Sequence, residues 1–193
     1  MDEQFQDLFK IKYNRKNVGV GDILIAEPFL KGKYFSRAVI YIVEHDKNGT
    51  IGFTLNKVLP YTTSELVSEL KKIDFPVYLG GPVEQNRLYY IHTHAELPDS
   101  LLIRDGVFWG GDFTHLVRML NSGDILQDEV RFFAGYSGWD TGQLESWKKI
   151  HGWWDRLAVK GFFTGLRMDC GKNRCRNWGE DTRYGRISRK IRL

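Results

Sequence analysis

The feature that most constrains the fold is a strong turn sequence between two strand-like runs. Residues 46–49 read Asp-Lys-Asn-Gly, and Asn-Gly tolerates the positive φ angles of a tight hairpin turn. Residues 38–43, just before the turn, are rich in β-branched and aromatic side chains, which is typical of a buried strand. Residues 50–55 predict the returning strand, so we expect an antiparallel hairpin over residues 38–55.

Other short runs predict further strands, and two amphipathic stretches predict helices. The additional strands are expected at residues 23–26, 77–79, 87–94, 107–109 and 130–136. One helix is expected from Thr62 or Thr63, with Leu66, Val67 and Leu70 facing inward. A second is expected over residues 113–121, capped by Asp112 and closed by Gly123, and residues 138–142 predict a glycine-rich turn. This mixture indicates an α+β fold: a mixed, largely antiparallel, β-rich core with hairpins and two or more flanking helices.

Charge is divided unevenly along the 193 residues, a length that fits one domain or one domain with an appendage. Residues 1–145 contain 15 Lys and Arg against 20 Asp and Glu, a net charge of −5. Residues 146–193 contain 13 Lys and Arg against 4 Asp and Glu, a net charge of +9, and hold both cysteines. We therefore expect a domain over residues 1–145 and a basic tail over residues 146–193. An argument for nucleic-acid binding from total charge concerns the tail alone.

Four segments of residues 1–145 together resemble the YqgE/AlgH family of small bacterial proteins. They are GDILIAEPFLKGKYFSRAVIYIVEHDKNGTIGFTLNK (21–57), VYLGGPV (77–83), GVFWGGDF (106–113) and FFAGYSGWDTGQLE (132–145). The chain departs from the family at Asp140, where a small residue is more usual. The resemblance implies an α+β domain with a β-rich centre and a role in transcriptional regulation, by extension from a regulator of alginate synthesis. It carries over no reaction and no catalytic residue.

The resemblance ends at Glu145, and the tail has the character of an out-of-frame translation. The family is expected to continue with NSWLV and then with a segment similar to ESLPQLGRRYPLWANFPENP. Synonymous codons for residues 145–154, read from the third base of the first codon, encode IMEENSWL. Codons for NRCRNWGEDTRYGRISRKI (173–191) in the same shifted frame can encode SLPQLGRRYPLWANFPEN, which is the inner part of that segment. We therefore expect a single-base deletion or sequencing error near codon 145, which leaves residues 146–193 frameshifted and outside the native core.

Candidate ligand-binding residues lie in or beside the glycine-rich segments. They are Arg37, Asn56, Gly80, Gly81, Gly111, Asp112, Tyr136, Trp139 and Gln143. Glycine turns let a backbone approach a ligand, amides at a helix start hold anions, and aromatic side chains line pockets. Structural alternatives stay open: turn geometry for the glycines, pairing with a carboxylate for Arg37, and bonding within a turn for Asn56. For Tyr136, Trp139 and Gln143 the alternative is a packed corner.

Metal and cofactor chemistry receives little support, so neither a cofactor nor a metal is expected. His92 and His94 share one face of a predicted strand and could ligate a metal, but no third ligand has a suitable spacing. Hydrogen-bonded or surface histidines are therefore favoured. Cys170 and Cys175 lack a zinc-binding spacing. No apolar run approaches the length of a membrane span, and the few cysteines suit a cytoplasmic protein.

Two functions remain open at this stage. The first is a non-enzymatic regulatory or binding domain that contacts a partner protein or small ligand through its glycine-rich face. Direct DNA reading is disfavoured, because residues 1–145 are acidic and show no helix-turn-helix pattern. The alternative is a small hydrolase-like enzyme near Asp112 and Trp139. No nucleophile–base pair is evident for it, since Ser137 lies in GYSGW and not in a GxSxG elbow.

Overall fold

A computed structural model describes residues 18–26, 30–70, 73–151 and 154–156. The first strands form the predicted hairpin and its neighbours: β1 (Ile23–Ile25), β2 (Val39–Asp46), β3 (Gly49–Thr54), β4 (Val58–Thr62) and β5 (Pro76–Leu79). The later strands are β6 (Val83–His92), β7 (Leu101–Arg104), β8 (Val107–Trp109), β9 (Val130–Trp139) and β10 (Trp154–Arg156). The helices are α1 (Thr63–Leu66), α2 (Phe113–Ser122) and α3 (Gln143–His151), and a 3₁₀ turn spans Ser68–Leu70.

The strands form one curled sheet in the order β10-β1-β2-β3-β9-β6-β8-β7. Strand β9 is central: its second half pairs with β3 and its first half pairs with β5, which in turn carries β4. The β5–β9 pair is parallel, and the other pairs between described strands are antiparallel. The predicted α+β class with a mixed, largely antiparallel sheet is thereby confirmed.

Apolar side chains pack into three clusters around this sheet. Helix α2 and the 3₁₀ turn cover one face of the sheet, where Leu116 and Leu70 belong to the same cluster as Phe132 of β9. The concave face of the curled sheet is filled by aromatic and aliphatic side chains around Phe53 and Phe133, which we call the concave cluster. The rings of Phe53 and Phe133 stack at 4.7 Å. A third cluster packs Leu24, Ile40, Trp139 and Leu144 at the start of α3.

Two predicted elements differ from the structure. The helix expected from Thr62 or Thr63 through Leu70 ends after four residues, because Val67 is extended (φ −129°, ψ 116°) and the 3₁₀ turn follows. Leu66 is therefore 49% exposed instead of facing the core. The turn expected at residues 138–142 begins later, since Gly138 and Trp139 belong to β9 and pair with β3.

Sequence patterns missed the short strands β4 and β7. Both are four or five residues long and lie at borders of the sheet, so only one neighbouring strand contributes to their pattern.

Helix α3 runs through residue 145, and β10 pairs with β1 in antiparallel register. The domain boundary at residue 145 stays a prediction, and most of the tail lies outside the described residues.

Candidate functional site

The predicted Gly80 and Gly81 pack directly against β9. A Cβ built on Gly80 would lie 2.1 Å from the Gly135 carbonyl oxygen, and one on Gly81 would lie 2.2 Å from the Tyr136 carbonyl carbon. The Gly80 carbonyl accepts hydrogen bonds from the Thr54 amide at 2.9 Å and from the buried Ser137 hydroxyl at 3.1 Å. These two glycines therefore allow close strand packing, and neither has the positive φ expected of a turn.

A wide bulge in β6 lies beside the place where Gly80 and Gly81 pack against β9. Val83 pairs with Tyr136, but the next pair is Leu88 with Ala134, so residues 84–87 are looped out. Glu84 has φ 49°, in the left-handed region that few non-glycine residues adopt. Its carboxylate accepts hydrogen bonds from the Tyr89 hydroxyl and from Arg87. Burial, together with the Glu84 carboxylate, raises the pKa of Tyr89 to about 12, so this hydroxyl stays protonated.

Arg37 and Asn56 meet at the end of the sheet where β2 begins. The Asn56 side chain accepts a hydrogen bond from the Val39 amide at 3.0 Å and donates one to the Arg37 carbonyl at 2.8 Å. Arg37 has φ 55° and an exposed side chain. Both the oxygen and the nitrogen of the Asn56 amide therefore have backbone partners, which lie 17 and 19 residues away and not within one turn. The same contacts fix the backbone at Arg37.

Gly111 and Asp112 lie apart from that group, at the start of α2. The Asp112 carboxylate accepts a hydrogen bond from the His115 amide at 2.9 Å, which caps the helix as predicted. The Gly111 carbonyl accepts a hydrogen bond from the Tyr90 hydroxyl at 2.6 Å. Burial, with a smaller contribution from Asp112, raises the pKa of Tyr90 to about 12. Helix capping and bonding between a strand and a loop therefore account for these contacts of both residues.

Trp139 and Gln143 lie in a third place, around the start of α3. Trp139 is buried and stacks on Phe35 at 6.2 Å, and Trp147 meets the same Phe35 ring edge-on at 5.3 Å. The Gln143 side-chain oxygen accepts a hydrogen bond from the Asp140 amide at 2.8 Å, which closes the turn before the helix. Tyr136 belongs to the concave cluster and meets Tyr89 edge-on at 5.5 Å. The predicted aromatic pair is thus divided between two clusters.

The histidines considered as ligands have protein partners. His92 is fully buried, and its Nε2 lies 3.0 Å from the Gly110 carbonyl while its Nδ1 accepts a hydrogen bond from the His94 amide. His94 lies between two carboxylates, with Nδ1 2.8 Å from Glu96 and Nε2 3.3 Å from Glu129. Within the described part of the chain, no group of three or more His, Cys, Asp or Glu could hold a metal ion.

Two surface features were not anticipated from the sequence. The first is the exposure of Leu101 (56%) and Leu102 (63%) on β7, the last strand in the sheet order. The Leu-Leu-Ile-Arg run that forms this strand was the available signal. The second is a contact between two basic segments, in which the Lys57 ammonium donates a hydrogen bond to the Lys33 carbonyl at 3.0 Å.

Comparison with known proteins identifies relatives along most of the chain. A family described as AlgH-like matches residues 23–158. A UPF0301 protein of Parabacteroides distasonis is 41% identical over 152 residues, covering 77% of each chain, and one of Bacteroides thetaiotaomicron is 37% identical over 148 residues, covering 76% of each. The solution structure of the AlgH protein from Pseudomonas aeruginosa has a TM-score of 0.61 at 23% identity, covering 84% of this chain and 94% of that one. A crystal structure from Corynebacterium diphtheriae has a TM-score of 0.62 at 22% identity, covering 77% of this chain and 80% of that one. These two structures share the fold.

Proposed function

The chain belongs to the AlgH-like family, and we propose that it is a cytoplasmic binding domain that affects transcription indirectly, by contacting a partner protein. The observation that carries this proposal is the open edge of β7. Strand β7 pairs with β8 on one side, and no described strand pairs with its other side. An unpaired edge presents a row of amide and carbonyl groups to which a partner can add a strand.

The leucines of β7 strengthen this edge as a protein-binding surface. Leu101 and Leu102 are consecutive, so in a strand their side chains point to opposite faces, and more than half of each is exposed. A strand added here would gain backbone hydrogen bonds and would cover apolar side chains on both faces. Ile103, the next residue, is buried and anchors the strand to the concave cluster.

Strand β4 provides an informative contrast. It pairs with β5, and it also exposes apolar side chains, with Val58 at 61% and Tyr61 at 49%. Its sequence contains Pro60, which lacks an amide hydrogen and so interrupts pairing with an added strand. Strand β7 contains no proline. The edge of β7 is therefore the better suited of the two for strand addition.

An indirect effect on transcription fits the charge of the domain. Residues 1–145 have a net charge of −5, and a surface with excess negative charge repels the phosphates of DNA. Among the described residues no helix is long and apolar enough to cross a bilayer. Contact with a protein is therefore the mode of action that we favour.

The hydrolase alternative has less support at the positions suggested for it. The Asp112 carboxylate is bonded to the start of α2, and Trp139 is packed in the core. The Ser137 hydroxyl is buried and donates its hydrogen to the Gly80 carbonyl, not to a base that could activate it. A binding function requires none of these side chains to react.

The proposal can be tested in a strain that lacks the gene, by comparing Leu102→Lys with Leu66→Lys. Both substitutions add a charge at an exposed leucine, but Leu66 lies on α1 and away from the edge of β7. We expect the Leu66→Lys chain to restore the wild-type transcript profile and the Leu102→Lys chain to fail. A photo-cross-linker at position 102 should give a discrete adduct with another protein, and the same group at position 66 should give none.

Three results would count against this function. One is full restoration of the transcript profile by a folded Leu102→Lys chain. Another is cross-linking at position 102 to further copies of the same chain alone. The third is a salt-dependent shift of duplex DNA by residues 1–145 with a repaired C-terminus, which would show direct DNA binding.

A further inference from the structure

The register of β7 with β8 decides what a strand added at the free edge of β7 would meet. Leu101 pairs with Trp109, and Leu102 pairs with Phe108. Paired residues of neighbouring strands project their side chains from the same face of a sheet. Leu101 therefore extends the row of Trp109, which packs against the concave cluster, and Leu102 extends the row of Phe108 on the opposite face.

Both of these apolar rows stop at the edge of β7. Trp109 meets Phe53 of the concave cluster edge-on at 6.0 Å, whereas the leucine that follows it in the row is exposed. An added strand completes both rows only if a large apolar side chain stands opposite each leucine. Two such residues must then be consecutive in the added strand, because a strand that alternates apolar and polar residues covers one face alone.

A carboxylate also stands at each end of β7. Asp99 lies two residues before the strand, and Asp105 follows its last residue. Both residues are exposed, and no ion pair or side-chain hydrogen bond between described residues engages either carboxylate. Residues 95–106 contain three acidic side chains against one arginine, and this Arg104 lies 3.4 Å from the carboxylate of Asp22. The edge is therefore apolar at its centre and negatively charged at its ends.

The backbone holds both acidic residues in defined positions. Asp99 has φ 60° and Asp105 has φ 50°, so both lie in the left-handed region. The Pro98 carbonyl accepts a hydrogen bond from the Asp112 amide at 2.8 Å, which ties the chain before Asp99 to the start of α2. Asp105 forms, with Gly106, the two-residue turn into β8. Fixed positions of this kind lower the ordering cost that binding imposes.

We propose that the edge of β7 binds an extended protein segment with two consecutive large apolar residues at its centre and a Lys or Arg at each end. This inference rests on the proposed function, because it specifies the partner of the same edge. Backbone pairing supplies affinity and the side chains supply the choice of partner. Since an acid stands at both ends of β7, the same partner pattern suits parallel and antiparallel addition. The net charge of −5 on residues 1–145 favours the approach of a basic segment.

Fluorescence anisotropy of labelled peptides, titrated with the full chain, tests this partner pattern. The first peptide is Lys-Arg-Thr-Ile-Val-Thr-Arg-Lys. The second has Glu at all of its basic positions, and the third has Thr in place of Ile. Each titration is repeated with the Leu102→Lys chain, and the part of the binding that this substitution removes is assigned to the edge. Binding of a peptide to the basic tail is the same in both chains and is thereby subtracted.

The two carboxylates are tested by Asp99→Asn with Asp105→Asn as a double variant, and Asp140→Asn is the control. Asparagine tolerates the left-handed region, so the double variant keeps the backbone. Asp140 is also exposed, but it follows the end of β9 that pairs with β3. We expect the double variant to weaken edge-dependent binding of the first peptide by about three- to tenfold, and the control to change it by less than about twofold.

We expect the second and third peptides to bind the edge at least about fivefold more weakly than the first. The proposal is overturned if either of them shows Leu102-dependent binding as tight as that of the first peptide. It is also overturned if the first peptide shows no such binding, or if Asp140→Asn weakens it as much as the double variant does.

The photo-cross-linker at position 102 separates this proposal from the proposed function. A discrete adduct with another protein that is undiminished in the Asp99→Asn, Asp105→Asn chain retains the proposed function and removes the charge requirement. Absence of any adduct removes the proposed function itself. An adduct that is reduced in the double variant and retained in Asp140→Asn supports both.

Discussion

At the scale of single residues, glycine serves two different purposes in this chain. Gly81 is needed because the β9 backbone passes so close that a Cβ would overlap the Tyr136 carbonyl. Gly106 is needed because its backbone has φ 79°, while the space around it is open. The residue type is the same in both places, and only the neighbouring backbone distinguishes the two roles.

Alanine substitution should distinguish these roles by the size of its effect. Gly81→Ala forces one strand away from another, and we expect it to lower the free energy of unfolding by about 3 kcal/mol or more. Gly106→Ala adds only the cost of a left-handed backbone, about 1–2 kcal/mol. Urea titrations followed by circular dichroism measure both values. A Gly81→Ala loss no larger than that of Gly106→Ala would show that β5 and β9 are not packed as described.

At the scale of secondary-structure elements, His92 joins β6 to the turn after β8. Its ring is fully buried, bonds to the Gly110 carbonyl, and stacks on Phe108 at 5.8 Å. Burial is the main cause that lowers the pKa of His92 below its ordinary value. The folded protein therefore favours the neutral imidazole, and protonation of His92 destabilises the contact between β6 and the turn after β8.

The stability of the fold should consequently depend on pH through His92. As the pH falls below about 6.5, the unfolded chain takes up this proton before the folded chain does, so the free energy of unfolding falls. The slope contributed by one such group is at most about 1.4 kcal/mol per pH unit, and it ends below the lowered pKa. Stability is present above pH 6.5 and is lost on acidification.

Chemical denaturation at a series of pH values between about 7 and 5 measures this slope. We expect His92→Gln to be less stable near neutral pH and to lose part of the slope. His115→Gln, a substitution on α2, serves as the control for removing a histidine. An unchanged slope in His92→Gln would assign the acid sensitivity to other groups, such as Glu96, whose pKa is lowered by its hydrogen bond with His94.

At the scale of the whole molecule, the curl of the sheet brings distant parts of the chain together. Arg104 at the end of β7 lies 3.4 Å from the Asp22 carboxylate that precedes β1. This contact joins the early and late parts of the sheet, although β1 and β7 are near opposite ends of the strand order. The concave cluster around Phe53 and Phe133 fills the space between them.

The whole-molecule prediction concerns the reading frame of the C-terminal segment. Sequencing the coding DNA across codons 140–150 should reveal one missing base, after which the frame continues into NSWLV and ANFPENP. The change of net charge from −5 in residues 1–145 to +9 in residues 146–193 motivates this expectation. The expectation is wrong if the DNA encodes residues 146–193 without a missing base. The basic tail would then be tested for nucleic-acid binding.

Local patterns alone determined much of this protein. The Asp-Lys-Asn-Gly turn set the β2–β3 hairpin, and Asp112 and Gly123 set both ends of α2, because turn and cap chemistry involve residues a few positions apart. The family resemblance likewise rested on four segments, each of which is a run of consecutive residues. The α+β class followed from the order of these elements.

Only the tertiary structure decided how the predicted site residues are grouped. Arg37 and Asn56 share one end of the sheet, Gly111 and Asp112 the start of α2, and Trp139 and Gln143 the start of α3. The exposed edge of β7 and the hydrogen bond from the Lys57 ammonium to the Lys33 carbonyl also depend on which segments become neighbours. Strand order and curl are set by contacts between residues far apart in the chain, which local periodicity does not encode.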